Sequence, residues 1–259
     1  MAQLPRGSLW EPADMTVRRL ACTLFIVSIA PAAAVADQVE PILDRVEARG
    51  ANVHALQCQV IYTVQDRIAD DIVTRHGHII YKRKTPNPIF NITFTKTVQE
   101  DVVERKRSWY WFDGRWFYEA KESANTVIKR DVAPPGTVID LFSIDQAPFP
   151  IPFGQKKPEI LTHFDVALAP PDSNDPADTD HLVCTPKPES RLAKDYSRIE
   201  FFVSRSLHLP VKIVMTANPA DRVTSAEFPD LTSASLNAEL PDSKFQQPRE
   251  TNGYSVVEE

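Results

Sequence analysis

The chain has 259 residues, 42% hydrophobic and 25% charged, a globular composition that one β-rich domain can account for. Its formal charge of −6 excludes the basic stripe of a nucleic-acid binder. Seven glycines argue against a phosphate-cradling loop, and 22 prolines favour long connections and interrupted edges over long helices.

Taken in chain order, the first feature is an export signal. Arg18 and Arg19 follow Met15, an apolar run starts at Leu20, and Ala34-Val35-Ala36 closes it as an A-x-A cleavage pattern before Asp37. Residues 1–36 therefore read as a signal peptide, with Met15 the better start. The apolar run contains Pro31 and is short for a membrane span, which argues against a retained anchor. Cys22 stands at the start of that run instead of after it, so it does not read as a lipid-attachment site. Cys58 and Cys184 remain; they could form one disulfide in an oxidising compartment or stay as two buried thiols in strands. Spacing does not decide between these.

Residues 37–50 predict a helix, with Val39, Ile42, Leu43 and Val46 at helical spacing and Gly50 as its stop. The period then changes to two. Strands are predicted at 55–66, 74–84 and 88–96, with Phe90, Ile92 and Phe94 on one face of the last. Two aromatic runs, RKRSWYWF and RWFYEAK, meet at Asp113-Gly114 as a hairpin, and 126–132 is a sixth strand. Residues 133–157 break the pattern. They are proline-rich and predict a short helix with Val138, Ile139, Leu141 and Phe142 apolar, followed by an extended Pro-Phe segment. Strand resumes in ILTHFDVALAPP, 172–180 is a polar loop, and HLVCTPK, YSRIEFFVS, LPVKIVMTA, VTSAEFPDLTSA and KFQQP complete about ten strands. A sheet of that length curls, and the two apolar helical pieces belong on its concave face. The predicted fold is mainly β with a few helices. It is a half-open antiparallel β-barrel with an N-terminal helix and a helical, Pro-rich lid, forming a single domain over 37–259.

The hairpin gathers seven aromatics between Trp109 and Tyr118, including three of the four tryptophans. A two-residue turn would set Phe112 opposite Arg115, Trp111 opposite Trp116, Tyr110 opposite Phe117 and Trp109 opposite Tyr118. Trp109, Trp111, Trp116 and Tyr118 then share one face, and Tyr110, Phe112 and Phe117 the other. Both faces are aromatic, and each large ring left in water would forfeit about 1.5–3 kcal/mol of burial. Either the rings are plain core or one face walls an apolar cavity. The tryptophan face is the one expected to line it, with Phe90, Ile92 and Phe94; the other face is the alternative.

Catalytic signatures are missing: there is no HExxH, Walker A or GxSxG motif, so no enzyme, cofactor or resident metal is expected. His76 and His78 share a strand face, which supplies at most half a metal site.

Several segments in order resemble the periplasmic outer-membrane lipoprotein carrier family, the LolA-like lipoprotein-sorting proteins. They are the signal peptide and first helix, GHIIYKRKTPNPIFNITF, WYWFDGRWFYE, DLFSIDQAPFPIPFG, HLVCTPKPES, RIEFFVSRSLHLPVKIVM and LNAELPDSKFQQP. The match spans most of residues 37–256. The resemblance implies an unclosed β-barrel capped by helices, monomeric and periplasmic. Its cavity takes acyl chains of lipidated proteins, or lipid, from an inner-membrane release complex to an outer-membrane receptor. It also implies a latch: an arginine on the strand matching Tyr81-Lys82-Arg83-Lys84 that holds the lid by backbone hydrogen bonds. Arg83 is that residue, and Lys84 stands where the family has proline. Ile139, Leu141, Phe142 and Phe149 would form the lid. A lipid-sensing regulatory interaction protein on the same fold is the alternative function.

Overall fold

A computed structural model of the chain describes residues 32–139 and 153–259. Leu141, Phe142 and Phe149, the short helix expected around them and most of the signal segment lie outside the described residues. The N-terminal helix α1 runs Ala32–Ala51. Val39, Ile42, Leu43 and Val46 are buried in the main core, while Glu40, Asp44 and Arg45 on the other side are exposed. This is the one-stripe pattern its sequence implies.

Among the described residues, 13 strands form one sheet. They are β1 (Ala55–Asp66), β2 (Asp71–Lys82), β3 (Ile89–Gln99), β4 (Val102–Glu104), β5 (Ser108–Phe112), β6 (Trp116–Lys121), β7 (Thr126–Asp131), β8 (Phe164–Leu168), β9 (Thr179–Pro186), β10 (Tyr196–Ser204), β11 (Pro210–Ala217), β12 (Arg222–Glu227) and β13 (Ser255–Glu258). The order is β13-β7-β6-β5-β3-β2-β1-β12-β11-β10-β9-β8, with β4 beside β3. It is two meanders, β1 to β7 and β8 to β12, joined where β12 pairs with β1. Strands consecutive in sequence are neighbours in space, as short connections dictate. β8 and β13 do not pair with each other, so the barrel stays open.

Three details depart from the sequence reading. ILTH is helix, not strand: α2 spans Lys157–His163, started by a proline in its first turn, and only Phe164–Leu168 continue as β8. KFQQP is no strand end; Asp242–Phe245 make a 3-10 turn, and Phe245 packs with Leu240 on Ala55 and Ile89. The C-terminal β13 adds to β7 in parallel, with all four residues exposed, so it carries no burial pattern to read.

Register sorts the sheet's faces. Leu56, Tyr81, Phe90, Phe112 and Phe117 are successive partners across β1, β2, β3, β5 and β6. Tyr62, Ala226, Ile213, Phe201, Leu182 and Leu168 form a second such row across the other wing. Both rows join the cluster that holds the α1 stripe, so this is the concave, covered face. Gly77 sits where a β-bulge lets β3 approach. A methyl group there would run into the Thr93 carbonyl oxygen and the Phe94 Cα. Gly77→Ala is expected to destabilise the fold by about 1–3 kcal/mol through overpacking against backbone. Urea unfolding measures it, and an unchanged midpoint would show that the bulge tolerates a side chain.

Candidate functional site

The hairpin turn is wider than its Asp-Gly suggested. Phe112 pairs with Phe117, Trp111 with Tyr118, Tyr110 with Glu119 and Trp109 with Ala120, leaving 113–116 as the loop. Asp113 is the cause. Its carboxylate accepts from the backbone N–H of Arg115 (2.9 Å) and Trp116 (2.8 Å) and from the Tyr118 hydroxyl (2.9 Å). An aspartate side chain thus closes a four-residue turn where a two-residue one was expected. The register moves by two, so the face membership of each ring survives.

The two faces pack against different neighbours. On β3, Phe90 and Ile92 are opposite Phe112 and Tyr110, whereas Asn91 and Thr93 are opposite Trp111 and Trp109. Phe90, Ile92 and Phe94 lie on the concave face with Tyr110, Phe112 and Phe117. Trp109 and Trp111 belong to a separate cluster on the convex side with Ala120, Val127, Tyr118 and Tyr254. The rings there satisfy one another. Trp111 stacks on Tyr118 at 4.7 Å between centroids, and Trp109 meets Tyr254 edge-on at 6.4 Å. Trp116 lies under the Lys129 ammonium at 3.5 Å and the Arg115 guanidinium at 4.8 Å. The tryptophans thus lie on the face away from the main core, and Tyr110, Phe112 and Phe117 on the face that belongs to it.

The concave face is closed on its own rings. Phe90, Ile92 and Phe112 are each 0% exposed. Phe90 contacts Phe112 and Phe117 with centroids 6.0 and 6.3 Å apart, and Phe94 meets Tyr110 edge-on at 5.9 Å. Over this floor lie α1, α2 and the segments that flank 140–152, and their attachments are polar. The Arg83 guanidinium donates to the carbonyls of Ala51 (2.7 Å) and Gly50 (3.1 Å), at the C-terminal end of α1. Those carbonyls have no partner within the helix, and the cation also complements the helix dipole. The arginine expected to hold the lid thus holds the N-terminal helix.

Sequence reading passed over Asn87. This buried amide donates to the Gly114 carbonyl (2.8 Å) and the Thr137 carbonyl (3.0 Å) and accepts from the Ile139 N–H (2.8 Å). It ties the hairpin turn to the start of the predicted lid, and Ile139 itself is buried in the main core. Its place between Pro86 and Pro88 was the available signal. On the far side of 140–152, Phe153 is 0% exposed and packs on Phe228 at 4.7 Å. A methyl at Gly50 would lie 2.5 Å from the Phe153 carbonyl oxygen, so the glycine permits this crossing. Lys157 binds Glu40 (3.1 Å) and Asp44 (2.8 Å), fastening α2 to α1. Phe228 also lines an open pocket of about 630 Å³, together with Leu207, Val211 and Leu231 and the hydroxyl residues Ser204, Ser206 and Thr232.

Cys58 and Cys184 are free, buried thiols, not a disulfide. Burial pushes both thiols up, Cys184 to about 12. His76 and His78 partner Lys96 and Thr93 in register, and no three His, Cys, Asp or Glu residues gather as a metal site among the described residues.

No protein-family model and no curated protein matches the chain. Solved structures do resemble it. An uncharacterized conserved protein from Thermus thermophilus is 12% identical, over 86% of this chain and 99% of that one, with a TM-score of 0.49. A LolA superfamily protein from Nitrosomonas europaea is 13% identical over 80% and 97%, with a TM-score of 0.38. The Pseudomonas aeruginosa MucA/MucB complex is 15% identical over 82% and 62%, with a TM-score of 0.41. These are likenesses of chain course and give no residue a role.

Two outcomes are expected. Arg83→Ala removes two hydrogen bonds to carbonyls and costs about 1–3 kcal/mol. Hydrogen exchange should report faster exchange confined to the last turn of α1; uniform acceleration would mean the arginine is not a local latch. Ellman's reagent at pH 8 should label neither cysteine in the native protein and both in denaturant, because a thiol kept neutral and covered is no nucleophile. Rapid native labelling would contradict the burial.

Proposed function

We propose that this protein is a periplasmic carrier that takes the acyl chains of a lipidated protein, or a lipid, onto its concave face and passes them towards the outer membrane. It acts by binding, not by catalysis. An inner-membrane release complex would load it and an outer-membrane receptor would unload it. One observation carries the reading: an unclosed sheet with an apolar concave face lies under a cover whose margins are fastened by a few polar contacts, Arg83, Asn87 and Lys157.

The physics is that of exchange. Each acyl CH₂ taken from water contributes about 0.8 kcal/mol, so a dry apolar floor can retain a chain. Release requires that the floor also pack on itself, and the Phe90, Phe112 and Phe117 contacts support this. The cover then exchanges ring–ring contacts for ring–acyl contacts, and the balance between the two sets the affinity. Low-stability segments at a binding site are where such an exchange takes place.

The test is native mass spectrometry of the exported protein incubated with a synthetic acylated peptide. The expected result is a one-to-one complex that the unacylated peptide does not form. Tryptophan emission should barely change on binding, because Trp109 and Trp111 pack on the convex side. A bare mass at high micromolar lipopeptide would sink the carrier reading. Recovery of one membrane regulator, without acylated cargo, from the exported fraction would favour the sensor alternative.

A further inference from the structure

The concave face changes chemistry along its strands. Where β1 begins, under the end of α1, the floor is hydrocarbon and ring: Leu56, Phe90 and Phe112. Further along β1 it becomes phenolic and cationic. Tyr62 is opposite Arg75, and the Arg75 guanidinium donates to the Tyr110 hydroxyl at 3.4 Å. Tyr62 packs on Phe94 at 6.1 Å between centroids, and Tyr196 packs against the same core from β10. Burial raises the pKa of Tyr62, Tyr110 and Tyr196, so each remains a neutral hydroxyl able to donate.

Arg75 is the unusual member. It is half-buried, and among the described residues it forms no ion pair with a carboxylate; the bond to Tyr110 is the one hydrogen bond of its guanidinium there. A guanidinium has five N–H donors, and a cation partly withdrawn from water gains most from an anion that accepts two of them. Of the neighbouring carboxylates, Asp195 stands beside Tyr196, and Glu119 opposite Tyr110 is already matched by Lys121 at 3.0 Å and Arg130 at 3.7 Å. Local charge is therefore cationic in a chain that is acidic overall.

We propose that Arg75, with the hydroxyls of Tyr62, Tyr110 and Tyr196, binds the anionic group of an amphiphile whose alkyl chain lies along the apolar rows towards Phe90 and Phe112. The shared chemistry is a carboxylate or phosphate on an acyl or alkyl chain. A free fatty acid or a phospholipid headgroup would supply it. The inference rests on the carrier reading and deepens it: the floor orients its ligand, tail under α1 and head at Arg75. Tyrosine hydroxyls suit this role because they close around an oxyanion without adding charge of their own.

Titration calorimetry with laurate, dodecyl phosphate and dodecanol, each below its aggregation threshold, tests it, with inorganic phosphate as a fourth titrant. The anionic chains are expected to bind about tenfold or more tighter than dodecanol, the scale of one charge-assisted hydrogen-bond pair. Inorganic phosphate alone should not bind at millimolar concentration. The tighter of laurate and dodecyl phosphate identifies the headgroup. Arg75→Gln should bring both anionic chains to the affinity the same variant has for dodecanol. Tyr110→Phe, a smaller change, should narrow the preference several-fold. Equal affinities of the anionic and neutral chains for the unmodified protein would overturn the proposal without any variant, as would a preference that survives Arg75→Gln. Inorganic phosphate binding as tightly as dodecyl phosphate would reduce the cluster to a simple anion site. Failure of all three chains to bind would overturn the carrier reading, and this inference with it.

Discussion

The structure depends on a sheet whose concave face carries two apolar rows and which does not close. Leu56, Tyr81, Phe90, Phe112 and Phe117 meet in one row, with Ala226, Ile213, Phe201 and Leu182 in another. A closed barrel would bury both rows against itself. With β8 and β13 unpaired to each other, something else has to cover the opening. The chain supplies α1 before the first strand and α2 between the meanders, and each is amphipathic for that reason.

Magnitudes show how the cover is held. Four buried α1 side chains, Val39, Ile42, Leu43 and Val46, each contribute about 1.5–3 kcal/mol. The two Arg83 hydrogen bonds contribute about 1–3 kcal/mol together. The helix is therefore retained by its apolar stripe, and Arg83 fixes where its last turn ends. Gly50 is needed at that same turn, because the Phe153 backbone crosses it with no room for a Cβ. An apolar stripe slides easily across an apolar floor, whereas a fork of donors on two carbonyls has one position. The polar contacts give the cover a definite seat while adding little to its depth.

Much of this was legible in the sequence. Period-two alternation placed β1 at 55–66, where Leu56, Cys58 and Val60 share one buried face; β10 at 196–204 was legible as a short apolar run instead, and Ile199 to Ser204 are buried on both faces. The hairpin was legible in its faces but not in its register. Its turn width depends on where the Asp113 carboxylate points, and alternation survives a shift of two. Which face turned inward was not legible from the hairpin, since both faces are aromatic. The deciding information lay on β3, where Asn91 and Thr93 mark the side that pairs with the tryptophans. Asn87 was less legible because its three hydrogen bonds go to distant backbone, and only the flanking Pro86 and Pro88 mark it locally. β13 escaped because an exposed parallel edge strand needs no apolar period at all.

The convex aromatics stiffen one wing of the sheet. Trp109 and Trp111 are each 2% exposed, and they lie between the sheet and the residues just before β13. Together with Tyr118, Ala120 and Val127 they give the β5–β6–β7 wing a second core of its own. A wing packed on both faces resists bending, because each face would have to give up ring contacts. The cover has one packed face, and its margins are held by side-chain contacts at the surface, including Lys157 on Glu40 and Asp44. Exposed ion pairs of that kind are worth about 0–1 kcal/mol each and re-form readily. Access to the concave face is therefore gained more cheaply by moving the cover than by spreading the sheet. In the proposed carrier the hairpin's crowd of rings would serve the site from behind, by holding the floor in shape while its covering moves.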